Sequence, residues 1–267
     1  GLVSHRQKGN DLWKNQLNKH MEIYYENTCD LACIYCSAMY SSKWASELNH
    51  HDHVPSQFST LNFQPVKPTE AHHRYIQGEV KRMALAARKG ETASITILGG
   101  EPLLQTVSKT SLIDNILKTF YTTASENSIF YLSIQTNGNT PTKILSEVTR
   151  VLSNYFKRYK NLKICIGFSM ESTEKNFEYV RYGAHWESFV DNMKVWSQYD
   201  FDLSIQTSIN AVALCDLTNF LSFANNFSKN FSPLNIRIDP VTYPLGLMHE
   251  KNIFPEAAHI DDALDFM

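Results

Sequence analysis

Short runs of β-forming residues recur six times along this chain, and helical patterns fill most of the intervals. That alternation limits the fold more than any other feature. The runs are "MEIYYEN" (21–27), "SITILGG" (94–100), "FYLSIQTNG" (130–138), "KICIGFSM" (163–170), "DLSIQTSIN" (202–210) and "NIRIDPV" (235–241). Apolar residues at helical spacing mark 69–90, 108–124, 141–159, 186–200 and 215–229, with Gly90 in a C-cap position. Strands that alternate with helices form a parallel sheet, and right-handed crossovers curl such a sheet toward a barrel. The expected fold is therefore α/β, a partial (β/α)6 TIM-like barrel over 21–243. An N-terminal extension (1–20) precedes it, and a tail (244–267) is expected to cover its open side. Residues 41–68 show no clear period and read as one long loop. His50, His51 and His53 read as solvated there, and His72 and His73 as helix-surface residues.

The chain has 267 residues, 43% of them hydrophobic, enough for a substantial single core. Its formal charge of -2 gives no global pull toward nucleic acid or an anionic membrane. No apolar run is long enough to span a bilayer, and the first 20 residues lack the apolar core of a signal peptide. The expectation is a soluble, cytoplasmic protein.

Three of the five cysteines, Cys29, Cys33 and Cys36, fall within eight positions as C-x3-C-x2-C, directly after the first run. Thiols so close cannot brace distant parts of a fold, and in a reducing compartment such a group more often holds metal. A structural zinc site normally takes four protein ligands, and no second C-x2-C pair is present. Three thiolates can instead hold three irons of a four-iron cluster and leave the fourth open. Cys165, inside a strand run, and Cys215, at a helix start, read as small buried apolar side chains.

"CDLACIYC", with Tyr35 before the last cysteine, resembles the signature of the radical S-adenosylmethionine (SAM) superfamily. The resemblance implies one [4Fe-4S] cluster on Cys29, Cys33 and Cys36, with SAM chelated to the open iron. An electron from a donor such as flavodoxin or ferredoxin would then release a 5'-deoxyadenosyl radical that abstracts hydrogen from substrate. "LGGEP" is similar to the family's GGEP motif and implies SAM contacts from Gly99, Gly100, Glu101 and Pro102. "QTNG" implies Asn137, and Tyr35 is expected near the adenine. "GFSMESTEKNFEYVRYG" resembles the family's fourth-strand segment, which implies Ser169 and Arg181 as SAM contacts. Glu171 stands there where relatives carry aspartate. Asn210 is the candidate for the SAM ribose.

"SSKW", "RYGAHWE" and "YPLGLM" resemble the subgroup with a C-terminal twitch domain, which suggests a peptide or protein substrate. The absence of cysteines after Cys215 argues for one cluster. Two alternatives stay open: a modifier of a nucleotide or small metabolite, and a noncatalytic metal- or SAM-binding module.

Overall fold

The computed structural model describes residues 20–50 and 67–240. The expected tail (244–267), all of the expected extension but His20, and His51 and His53 lie outside them. Among the described residues, six parallel strands form one sheet: β1 His20–Tyr24, β2 Thr92–Leu98, β3 Ile129–Thr136, β4 Leu162–Ser169, β5 Asp202–Ile209 and β6 Leu234–Pro240. Their spatial order is their chain order, so each strand lies beside the one before it. Among the described residues the sheet does not close, which leaves a partial barrel with β1 and β6 at its edges.

Among the described residues, eight α-helices connect or flank these strands: α1 Ser42–His50, α2 Glu70–Arg88, α3 Leu112–Tyr121, α4 Thr142–Arg158, α5 Glu174–Val180, α6 Trp186–Trp196, α7 Ala211–Cys215 and α8 Leu217–Asn230. Local chemistry sets their ends. Thr69 caps α2 by accepting the His72 N–H, and Ser111 caps α3 by accepting that of Asp114. Gly90, at φ +95°, ends the α2 turn in a conformation that side chains rarely adopt.

One strand face carries Ile95, Ile97, Phe130, Leu132, Ile134, Ile164, Ile166, Phe168, Leu203 and Ile205, all buried. They form one core with Val80 and Met83 of α2, Leu145 and Leu152 of α4, and Phe189 and Trp196 of α6. Burying each such side chain contributes about 1.5–3 kcal/mol. The opposite, concave face carries Thr96, Ser133, Gln135, Cys165, Ser204 and Gln206, each only partly buried. Alternation with period two thus separates an apolar, helix-covered face from a polar, open one.

Two sequence expectations change. The 41–68 segment is not one loop, because α1 occupies its first part. Its residues Ser41 and Ala45 are buried, and apolar residues there recur too sparsely to show a period. His72 and His73 are half-buried, stacked and edge-on against the Tyr25 ring with centroids 5.9 and 6.1 Å away. Among the described residues, no helix is long and apolar enough to cross a membrane.

Candidate active site at the strand ends

The loop after β1 carries the cysteines, and the residues following it hold its shape. Ser42 Oγ accepts the Cys29 N–H at 3.0 Å and donates to the Cys29 carbonyl at 3.1 Å. Ser41 Oγ donates to the Leu31 carbonyl at 2.6 Å, and Trp44 Nε1 donates to the Cys33 carbonyl at 2.7 Å. "SSKW" is thus a clamp on the cysteine loop. The far side of the loop pairs with the segment after α5: Ala32–Cys33 and Arg181–Tyr182 form a two-residue antiparallel bridge, and Ile34 N–H donates to the Val180 carbonyl at 2.9 Å.

The loop after β2 closes on the same place. Gly100 has φ +54°, and a Cβ there would come within 2.3 Å of the Thr28 carbonyl oxygen. The Glu101 N–H donates to that carbonyl at 2.7 Å. The Glu101 side chain is fully buried. One oxygen accepts the Leu103 N–H at 3.1 Å and the Thr136 hydroxyl at 2.9 Å, and the other accepts the Asn137 N–H at 2.6 Å. Burial pushes this carboxyl up to about 7 against those hydrogen bonds. Glu101 therefore ties the ends of β2 and β3 together beside the cysteine loop. Asn137 extends the tie, donating from Nδ2 to Asp30 at 2.8 Å, with Cys29 Sγ 4.0 Å away.

A buried ion pair lies on the other flank. Arg181 Nε donates to Glu171 Oε2 at 2.8 Å and Nη2 donates to Glu171 Oε1, while Nη1 is directed at Cys33 Sγ, 3.7 Å away. The Tyr35 hydroxyl donates to the same Glu171 Oε1 at 2.7 Å, and its ring centroid is 5.6 Å from the guanidinium carbon.

A family model for the radical SAM superfamily matches residues 23–219, most of the chain and all of these loops. The chain belongs to the radical SAM superfamily. No curated protein sequence matches it. Solved structures match the fold: native anSMEcpe with bound AdoMet at 16% identity and a TM-score of 0.62, covering 93% of this chain and 60% of that one. The same protein with AdoMet and Kp18Cys peptide gives 16%, 0.61, and coverage of 92% and 59%. Streptococcus suis SuiB bound to precursor peptide SuiA gives 15%, 0.52, and coverage of 96% and 48%. This radical SAM chain thus spans about 60% of the anSMEcpe length and about half that of SuiB.

The three thiols fit the superfamily's cluster. Burial pushes Cys29 and Cys33 up to about 12 and Cys36 to about 11, so thiolates here call for cationic partners such as iron. Each also lies within electrostatic reach of another of the three. Among the described residues, no three Cys, His, Asp or Glu side chains converge on a single-ion position.

Five residues occupy places other than those the sequence suggested. Asn210 is fully buried as the N-cap of α7: its Oδ1 accepts the Val212 and Ala213 N–H groups at 3.0 Å, and Nδ2 donates to the Ser208 carbonyl at 3.1 Å. It has no surface to offer a ribose. The Arg181 fork is filled by Glu171, and both Glu101 oxygens serve protein donors. Cys215 is exposed at the end of α7 rather than buried. Cys165 is half-buried on the polar concave face, 3.6 Å from Ser204 Oγ.

Pro102 is buried at the start of a 3-10 turn (Pro102–Leu104). Gly99 packs its backbone on the Tyr24 ring, which a Cβ would approach to 2.7 Å. Ser169 ends β4 half-buried, and among the described residues its hydroxyl has no hydrogen-bond partner. Sequence reasoning passed over Gln135. Its carboxamide lies across Gly167, where a Cβ would meet Gln135 Oε1 at 2.1 Å, and that oxygen is enclosed without a partner among the described residues. The polar alternation in "LSIQT" was its only signal.

Proposed function

We propose that this chain is the catalytic barrel of a radical SAM enzyme that acts on a peptide or protein. The observation that carries it is the contact between Gly100 and the carbonyl of Thr28, which joins the GGEP loop to the residue before Cys29 at the strand ends. Barrel enzymes work at that end of the sheet. In this reading Cys29, Cys33 and Cys36 hold one [4Fe-4S] cluster, and SAM lies along the strand ends beside Gly99, Gly100, Pro102, Asn137 and Ser169. When bound, the cluster supplies the electron that cleaves SAM and yields the hydrogen-abstracting 5'-deoxyadenosyl radical. The chain's own part is to bind, orient and enclose. Ser169 offers a hydroxyl that has no partner among the described residues, Gly99 and Gly100 offer close backbone approach, and the Glu101 brace keeps the β2 and β3 ends from spreading.

Two similar structures hold a peptide, Kp18Cys in anSMEcpe and SuiA in SuiB, which favours a peptide over a nucleotide here. The concave face suits that chemistry: Ser133, Gln135 and Ser204 carry hydroxyls and a carboxamide, groups of the kind that pair with peptide N–H and C=O.

The test is anaerobic reconstitution with iron and sulfide, followed by reduction in the presence of SAM. The expected product is 5'-deoxyadenosine above a no-enzyme control; none from a fully loaded protein would overturn the enzyme reading. Thermal shift against peptides and nucleotides then separates substrate classes, with stabilisation by peptides alone expected.

A further inference from the structure

Arg181 is 3% exposed and Glu171 1%, so the pair sits in a medium where charge acts strongly on near neighbours. Glu171 takes two donors of the guanidinium and also the Tyr35 hydroxyl. The remaining donor, Nη1, faces the sulfur of Cys33 at 3.7 Å. Register adds a constraint, because Arg181 is the bridge partner of Cys33 itself. The sequence resemblance makes Arg181 a SAM contact; the structure gives it an internal carboxylate and a cysteine sulfur.

We infer that Arg181 is a tuning residue: through Cys33 it sets how readily the cluster accepts its electron, and Glu171 moderates that effect. The step is one electron passing from a reduced donor of the flavodoxin or ferredoxin class to the cluster, with no bond made or broken. Reduction adds one negative charge beside the Cys33 sulfur. A fixed cation and an N–H directed at that sulfur both favour the reduced state, and potentials of such clusters follow nearby charge and hydrogen bonds to sulfur. Glu171, with its negative charge, opposes Arg181 and holds its fork. The two residues therefore push in opposite directions, which a purely structural pair would not do.

The inference rests on the cluster reading above, and the experiment separates the two. Parent, Arg181→Gln, Arg181→Lys and Glu171→Gln proteins are reconstituted, their iron and sulfide quantified, and their cluster midpoints measured by EPR-monitored redox titration without SAM. Arg181→Gln is expected to lower the reduction equilibrium about tenfold, about 59 mV for a one-electron couple. Glu171→Gln is expected to shift it upward, and Arg181→Lys to keep most of the parent value. Parent protein that takes up no iron would overturn the cluster reading and this inference with it. A loaded Arg181→Gln protein with an unchanged or raised midpoint would overturn the inference alone, and weaker SAM binding at that unchanged midpoint would return Arg181 to the ligand. If Arg181→Gln does not fold, Glu171→Gln decides: an upward shift supports the inference, and no shift or a downward one overturns it.

Discussion

Gly100 illustrates how one missing methyl group fixes a site. Its neighbour is the Thr28 carbonyl, rigid backbone that cannot swing away as a flexible side chain would. Gly100→Ala is expected to cost about 2 kcal/mol or more and to lower iron uptake on reconstitution, measured by thermal melting and iron assay. Glu101 makes a pH prediction. Its folded pKa of about 7 lies above the ordinary 4.5, so the folded state binds more protons than the unfolded one between those values. This residue's contribution is therefore full below about 4.5 and is lost as pH rises through about 7. The melting-temperature gap between the parent and Glu101→Gln should narrow from pH 5 to pH 8; a widening gap would contradict the assignment. On the proposed cluster reading, Cys29→Ala, Cys33→Ala and Cys36→Ala should each lose the cluster, because each would remove the only protein thiolate from one iron. Cys165→Ala and Cys215→Ala should keep parental iron content, since Cys215 is exposed on α7 and Cys165 lies mid-strand against Ser204.

At the scale of elements, α7 depends on its cap. Asn210→Ala should lower stability by about 0.5–2 kcal/mol while leaving the SAM dissociation constant within twofold, measured by melting and by titration calorimetry. A tenfold loss of SAM affinity would restore the ribose reading. Much of the element pattern was legible in the sequence, because period-two runs such as "SITIL" and the apolar stripe of α3 each encode their own burial. The short helices α5 and α7 were not, since seven and five residues are too few to display a helical period. Roles that depend on distant partners were equally hidden. Nothing near Glu101 announces that Thr136 and Asn137 will take its oxygens, and nothing near Arg181 announces Cys33. The cysteines stand out in the sequence because their spacing is local and few chemistries use it.

At the scale of the molecule, the sheet's chain-order topology brings every strand's C-terminal end to one rim, so loops from across the sequence meet there. The cysteine loop does more than sit on that rim. Through the Ala32–Cys33 bridge to Arg181–Tyr182 and the Ile34 to Val180 hydrogen bond, it is stitched to the segment between α5 and α6, far along the chain. Whatever steadies one strip of backbone steadies the other. In deuterium exchange, loading the protein with iron and sulfide should slow the amides of residues 180–184 along with those of 29–36, although no ligand lies in the later segment. The uptake of deuterium there would then serve as a remote gauge of metallation, readable in a mass spectrum without SAM, substrate or turnover.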